Sequence, residues 1–231
     1  MKIDRALIIR RLKVPSSMEY ADICAKSCEQ FNLPYEFIDG IEFMSSEDAF
    51  KAVGCWKHPD FNWTEGHNNC HASHIKAWRR MIEIGKPCLI LEHDAVIMGE
   101  TKNIDIPEMS VVTFGHRVNF LEQYSPISEI KELIQIPRAL GAHAYSITPK
   151  TAEFILKVYD ERGVFENVDE WLIRAPSSGL PLFVTEPPQV VCWPRISTRE
   201  LQLNNNKIET APTWTWNEAL TPGWIKGLKW K

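Results

Sequence analysis

Cys88-Leu89-Ile90-Leu91-Glu92-His93-Asp94 changes character within one short stretch. Its first four residues are continuously apolar, too few for a helix, and Pro87 opens the run. A strand buried on both faces reads this way, because apolar side chains are then needed at every position rather than every second one. Helices must cover both faces of such a strand, which implies a mostly parallel central sheet flanked by helices. The run ends abruptly in acid, His and acid. In open α/β sheets ligands bind beyond the carboxyl ends of the strands, so Glu92, His93 and Asp94 stand at the edge where chemistry is expected. If strand alternation continues, residues 92 and 94 point to the same side.

The flanking sequence supports this architecture. Ala6-Leu7-Ile8-Ile9 reads as a buried first strand. A helix follows to about Phe31, with Met18, Ala21, Ala25 and Cys28 at helical spacing and Ser16 or Ser17 as its cap. Tyr35 to Ile38 forms a second strand closed by Asp39-Gly40, completing a βαβ unit. A short helix from Ser46 to Val53 stops at Gly54. The strongest helix runs from about Asn68 to Ile84, with Cys70, His74, Ala77, Trp78, Met81 and Ile82 on one stripe and Gly85 as its stop. Further strands are read at 110–114, 142–147, 182–184 and 189–192. Thr148-Pro149 pairs an N-cap with proline at N1 and launches a helix to Arg162, and Val168 to Ile173 reads as one more short helix.

Composition bounds the function. The chain has 231 residues, 44% hydrophobic and 24% charged, with a formal charge of −4. That fits one domain over residues 1–200 with a Trp- and Lys-rich tail at 201–231 that packs on it, Trp214, Trp216, Trp224 and Trp230 included. The acidic balance argues against an extensive nucleic-acid or anionic-membrane surface. No apolar run is long enough to span a bilayer, and Arg5, Arg10 and Arg11 interrupt what a signal peptide would need. Six cysteines without a CxxC pair read as buried, reduced thiols. Together these features suggest a cytoplasmic protein.

Acid-x-acid after an apolar strand suits a hard divalent cation, Mn²⁺ or Mg²⁺, which prefers carboxylate and phosphate oxygen. Such an ion can bridge a nucleotide diphosphate. Spacing alone fits equally well two acids capping a solvated turn.

The segments Asn69-Cys70-His71-Ala72-Ser73-His74-Ile75-Lys76-Ala77-Trp78 and Leu89-Ile90-Leu91-Glu92-His93-Asp94-Ala95 add what spacing lacks. Together they resemble glycosyltransferase family 25, which includes lipooligosaccharide and collagen galactosyltransferases. Members typically show a Gly-Cys-x-x-Ser-His-x-x-x-Trp helix and then a strand reading Leu-Ile-Leu-Glu-Asp-Asp-Ala. Gly141-Ala142-His143-Ala144-Tyr145, Val168-Asp169, and Pro187-Pro188 with Ser197 match later family elements in order. Two positions depart from the pattern: His93 replaces the middle acid and Asn69 the glycine.

The resemblance implies a GT-A, Rossmann-like fold and metal-dependent transfer of a hexose, galactose or glucose, from a UDP-sugar to a carbohydrate-type or other hydroxyl acceptor, with inversion. It makes Glu92, His93 and Asp94 metal-ligand candidates, with Asp94 the leading one and Glu92 shared with the ribose. An inverting transferase needs a general base, for which Asp169 is the candidate and Glu170 beside it the fallback. Donor contacts are assigned to Arg10 (with Arg11 and Lys13 nearby), Ser73, His74, Glu92 and His143. For each of these a plainer account stands beside it: a solvated cluster for the basic residues, a local cap for Ser73, a hydrogen-bonded core histidine for His74 and His143.

Two other classes compete. His67, His71 and His74 have spacings that can converge on one helix face. With Glu92 or Asp94 they would suit zinc or iron in a hydrolase, although no HExxH-like pattern accompanies them. A catalytically inactive sugar- or partner-binding module is the other.

Overall fold

The computed structural model describes residues 1–115, 132–135, 141–186 and 188–192. The tail 201–231, together with Pro187 and Ser197, lies outside the described residues.

Among the described residues, nine strands and five α-helices follow in the order β1 (Arg5–Arg10), α1 (Pro15–Gln30), β2 (Tyr35–Asp39), α2 (Ser46–Ala52), α3 (Glu65–Ile84), β3 (Cys88–Glu92), β4 (Ala95–Ile97), β5 (Val111–Thr113), β6 (Glu132–Gln135), β7 (Ala144–Ile147), α4 (Pro149–Arg162), α5 (Val168–Arg174), β8 (Leu182–Glu186) and β9 (Val190–Cys192). Seven strands form the central sheet in the order β2-β1-β3-β7-β5-β8-β6, and β4 pairs with β9 in a separate ribbon. β7 and β6 run against the other five. β3 is therefore parallel to β1 on one side but antiparallel to β7 on the other, a reversal that its apolar run does not encode.

The sheet is buried on both faces, as its sequence requires. Leu7, Ile9, Cys88 and Ile90 pack with α2 to α5 in one cluster. Their alternates Ala6, Ile8, Leu89 and Leu91 pack with Ala21, Cys24, Ala25 and Cys28 of α1 and with the β4–β9 ribbon in another. From β1 the chain steps one way across the sheet to β2 through α1, then back past β1 to β3 through α2 and α3. Right-handed crossovers taken in opposite directions put their helices on opposite faces. That places the change of direction between β1 and β3, whose carboxyl ends carry Arg10 and Glu92.

Local chemistry explains the helix ends. Thr64 caps α3 by accepting from the His67 N–H, and Gly85 closes it in the left-handed conformation at φ 72°. α3 thus starts earlier than its apolar stripe suggests. Thr148 and Pro149 start α4 as read from sequence. α1 differs: Pro15 occupies its first turn, no side chain caps it, and the Ser17 hydroxyl accepts from the Arg11 N–H at 2.9 Å instead. The strand-to-helix turn takes the hydroxyl that sequence assigns to the cap.

Candidate active site

The α3 helix presents Cys70, His74 and Trp78 one turn apart, and each reaches across to the sheet. Trp78 Nε1–H donates to the Tyr145 hydroxyl at 2.7 Å, and that hydroxyl lies 2.9 Å from His74 Nδ1. His74 Nε2 lies 3.3 Å from Glu92 Oε1. Trp78, His74 and Tyr145 are fully buried. The proton positions follow from these contacts. An indole nitrogen only donates, so Tyr145 accepts from Trp78; a carboxylate only accepts, so a neutral His74 facing ionised Glu92 takes the Tyr145 hydrogen on Nδ1. His74 then carries its proton on Nε2, aimed at the carboxylate. Cys70 Sγ approaches the same Glu92 oxygen at 3.6 Å.

Glu92 is held from its own strand as well, its N–H donating to the His143 carbonyl at 2.9 Å. Asp169, in the first turn of α5, accepts the Ala142 N–H on Oδ1 at 2.9 Å. Residues 142–145 thus tie the two acids to one stretch of backbone. Burial raises the Tyr145 phenol well above the usual range, the Trp78 hydrogen bond opposes this, and the charges of Glu92, Cys70 and Asp169 push it further up.

The turn after β3 distributes its side chains differently from strand alternation. The strand ends at Glu92 and residues 93 and 94 form a turn, so Glu92 and Asp94 do not continue one face. Glu92 faces α3. The His93 ring stacks on Tyr20 of α1, with centroids 6.1 Å apart and planes 11° apart. Asp94 Oδ2 accepts from Cys192 Sγ at 3.2 Å, across the β4–β9 ribbon. Its buried Oδ1 meets no hydrogen-bond donor among the described residues. A carboxylate oxygen kept dry and unpaired is costly. The expected sharing of one ion by Glu92, His93 and Asp94 is thus corrected, because the turn sends the three side chains to different partners; Asp94 Oδ1 is what remains for a hard divalent cation, which would offset that cost.

The other residues singled out from sequence are placed as follows. Arg10 donates from Nε to Asp39 at 2.8 Å and lies over the Phe37 ring at 4.2 Å. Arg11 sits 3.8 Å from Glu42 and over Phe43, and Lys13 Nζ is 5.9 Å from the same ring. Ser73 lies more than two turns inside α3, not at its start; its hydroxyl accepts from Ile41 N–H at 2.8 Å and donates to the Asn69 carbonyl at 2.7 Å. It fastens α3 to the chain after β2. The His143 ring packs against Gly115, where any side chain would collide with it and with the Val190 carbonyl. Glu170 begins α5, its N–H held by Asn167.

The three-histidine arrangement does not assemble. His67 contacts Thr64, His71 lies between the Glu166 carbonyl at 2.7 Å and Tyr159 at 3.2 Å, and His74 alone reaches Glu92. Burial drives His71 down to about 3, so it stays neutral and structural. What sequence reasoning passed over is Cys70 as a polar partner of Glu92 and Tyr145 as the hub. Their signal was present, since both fall inside the matched segments.

Comparison with known proteins identifies the family. The profile of glycosyltransferase family 25 (LPS biosynthesis protein) matches residues 16–172, from α1 through α5. Solved structures that resemble the chain include a glycosyltransferase involved in the glycosylation of the major capsid of PBCV-1, at 11% identity and TM-score 0.46, covering 86% of this chain and 98% of that one. Another is the glycosyltransferase GlyE of Streptococcus pneumoniae TIGR4, at 14% identity and TM-score 0.38. There the match covers 85% of this chain and 55% of that one. No curated protein sequence matches the chain.

Proposed function

The chain belongs to glycosyltransferase family 25, and on that premise we propose that it transfers a hexose from a UDP-sugar to a hydroxyl of a carbohydrate-type acceptor with inversion. The observation that carries this reading is that neighbouring backbone groups at residues 142 and 143 hold both Asp169 and Glu92 at the carboxyl edge of the sheet. Asp94, through its buried Oδ1, would hold Mn²⁺ or Mg²⁺, an ion that would neutralise charge developing on a diphosphate leaving group. His93 stays against Tyr20 and lends the turn its direction.

Each residue then has a defined task. The Trp78-Tyr145-His74 chain holds Glu92 in one orientation by directing an N–H at it. The Cys192 thiol orients Asp94 through Oδ2. Asp169, anchored by the Ala142 amide, is a carboxylate with fixed orientation. It takes the proton from the acceptor hydroxyl as the new bond forms. Glu170, one residue further along the same helical turn, is the fallback for that task. No helix among the described residues is long and apolar enough to cross a membrane. We place the reaction in the cytoplasm, a reading supported by cysteines that are all outside disulfides, Cys24, Cys28, Cys55 and Cys88 among them buried.

The test is calorimetric titration and thermal shift with UDP, other nucleoside diphosphates and UDP-hexoses, with and without Mn²⁺, on wild type and Asp94→Asn. Binding raises the stability of the folded state by mass action. Metal-dependent UDP binding that Asp94→Asn loses is the expected result. No nucleotide response with any metal would overturn the transferase reading and favour an inactive binding module.

A further inference from the structure

Cys70, His74 and Glu92 bring one sulfur, one nitrogen and one oxygen within 4.8 Å of one another. We propose that these three side chains form a binding site for a borderline divalent cation of the Zn²⁺ class, distinct in its ligand set from the carboxylate site at Asp94. The proposal stands on these residues alone and does not rest on the transferase reading.

The geometry is the first argument. Zinc bound tetrahedrally to thiolate, imidazole and carboxylate has bond lengths of about 2.3, 2.0 and 2.0 Å. Those lengths separate sulfur from oxygen by about 3.5 Å and nitrogen from oxygen by about 3.3 Å. The corresponding separations here are 3.6 and 3.3 Å. The sulfur and nitrogen lie within 4.8 Å of each other, so closing around an ion asks at most a small side-chain rotation to bring them to the about 3.5 Å that the same bond lengths require.

The proton arrangement is the second. Without a cation, the thiol S–H and the Nε2–H both point at the single oxygen Glu92 Oε1, so two partial positive charges already converge there. On binding, the thiol proton leaves to solvent and Cys70 becomes the thiolate ligand. The imidazole proton moves from Nε2 to Nδ1, freeing the Nε2 lone pair for the metal. The bond count balances: one Zn–S, one Zn–N and one Zn–O contact form, and one proton is released. Thiolate and carboxylate together cancel the charge of the ion.

The third argument is the surroundings of the histidine. Metal-ligating histidines donate their other ring N–H to an oxygen that fixes the ring. Tyr145 provides that oxygen beside Nδ1, and its two lone pairs can accept from both Trp78 and His74. The α3 spacing contributes as well, since residues 70 and 74 are one helical turn apart and share a face. Sulfur in the set selects against Mg²⁺ and Mn²⁺, which prefer all-oxygen ligands. Three protein ligands leave a fourth position open, as in catalytic rather than structural zinc sites.

Co²⁺ is the probe, titrated into the full chain after chelator treatment, followed by competition with Zn²⁺. The expected result is one sulfur-bound equivalent of Co²⁺ with release of one proton, a thiolate-to-cobalt charge-transfer band and the visible bands of a tetrahedral ion, both bands abolished by Zn²⁺ with no further proton released. Cys70→Ser should erase the charge-transfer band and weaken Zn²⁺ by at least about 100-fold, a ligand being worth more than an outer-shell partner. Asp94→Asn should leave both unchanged. Cys70 is only half-buried, so the serine variant keeps its fold. Co²⁺ bound without a sulfur band, Zn²⁺ affinity equal in wild type and Cys70→Ser, or a signal lost in Asp94→Asn but kept in Cys70→Ser would each overturn the proposal. The last of these would assign the ion to the carboxylate site instead.

Discussion

Tyr145 shows how much one hydroxyl organises. It accepts from the buried Trp78 indole and lies beside His74 Nδ1, where its hydrogen favours the Nε2–H tautomer. Tyr145→Phe leaves the Trp78 N–H unsatisfied, at a cost of about 1–3 kcal/mol in unfolding free energy. It also removes the hydroxyl that reinforces the Nε2 proton from the other side of the ring, so nitrogen NMR of His74 should show the Nε2–H tautomer in metal-free wild type and a smaller share of it in the variant. An Nδ1–H tautomer in metal-free wild type would refute the relay. Glu166 makes a second prediction, through pH. It is 3% exposed, and burial pushes its carboxyl from 4.5 up to about 7, with Arg174 opposing. Between those values the folded state holds a proton that the unfolded state has lost. Stability from this residue is therefore complete below about pH 4.5 and is lost as pH rises through 7. His71, lowered from 6.5 to about 3, acts in the opposite sense and masks the effect in wild type. Glu166→Gln removes one side of this balance. Its stability relative to wild type should climb by up to about 3 kcal/mol from pH 4.5 to 7, as urea unfolding across that range will measure.

At the scale of elements, legibility tracked periodicity. β1, β2, α3, β3 and α4 were readable because apolar runs, helical stripes and caps encode local structure. β4 and β6 were not read from sequence, being three and four residues long and held by pairing with β9 and β8. The same limit applied to Asp94. Alternation along β3 predicts its side only while the strand lasts, and the strand ends two residues earlier. β3 itself offers the packing test. Ile90 is fully buried between α3 and the sheet, so Ile90→Ala should cost about 2–5 kcal/mol. Gly85 tests the helix stop. A Cβ there meets nothing within 4 Å, so any loss in Gly85→Ala reports the left-handed backbone alone, about 1 kcal/mol. A much larger loss would mean that the α3–β3 turn does more than end a helix.

Across the whole molecule, the site draws on distant parts of the chain: Glu92 and Asp94 follow β3, whereas Asp169 arrives only with α5 after the sheet has reversed at β7. Sequence placed the first pair by its strand and Asp169 by family resemblance. It did not reveal that residues 142–145 bind both, because that junction exists only once β7 lies against β3. The division makes the two ends of the site separable. Under the proposed mechanism Asp94 acts on the donor and Asp169 on the acceptor proton. Asp94→Asn should abolish metal-dependent UDP binding, whereas Asp169→Asn should bind UDP as wild type does. The Asp169 variant should nevertheless lose about 10²- to 10⁴-fold in kcat, the usual contribution of a general base. The amide retains an oxygen for the Ala142 N–H, so the loss reports proton transfer rather than a collapsed loop. Equal turnover in Asp169→Asn and wild type would move the base to Glu170, and loss of UDP binding in both variants would mean that the two ends form one donor pocket.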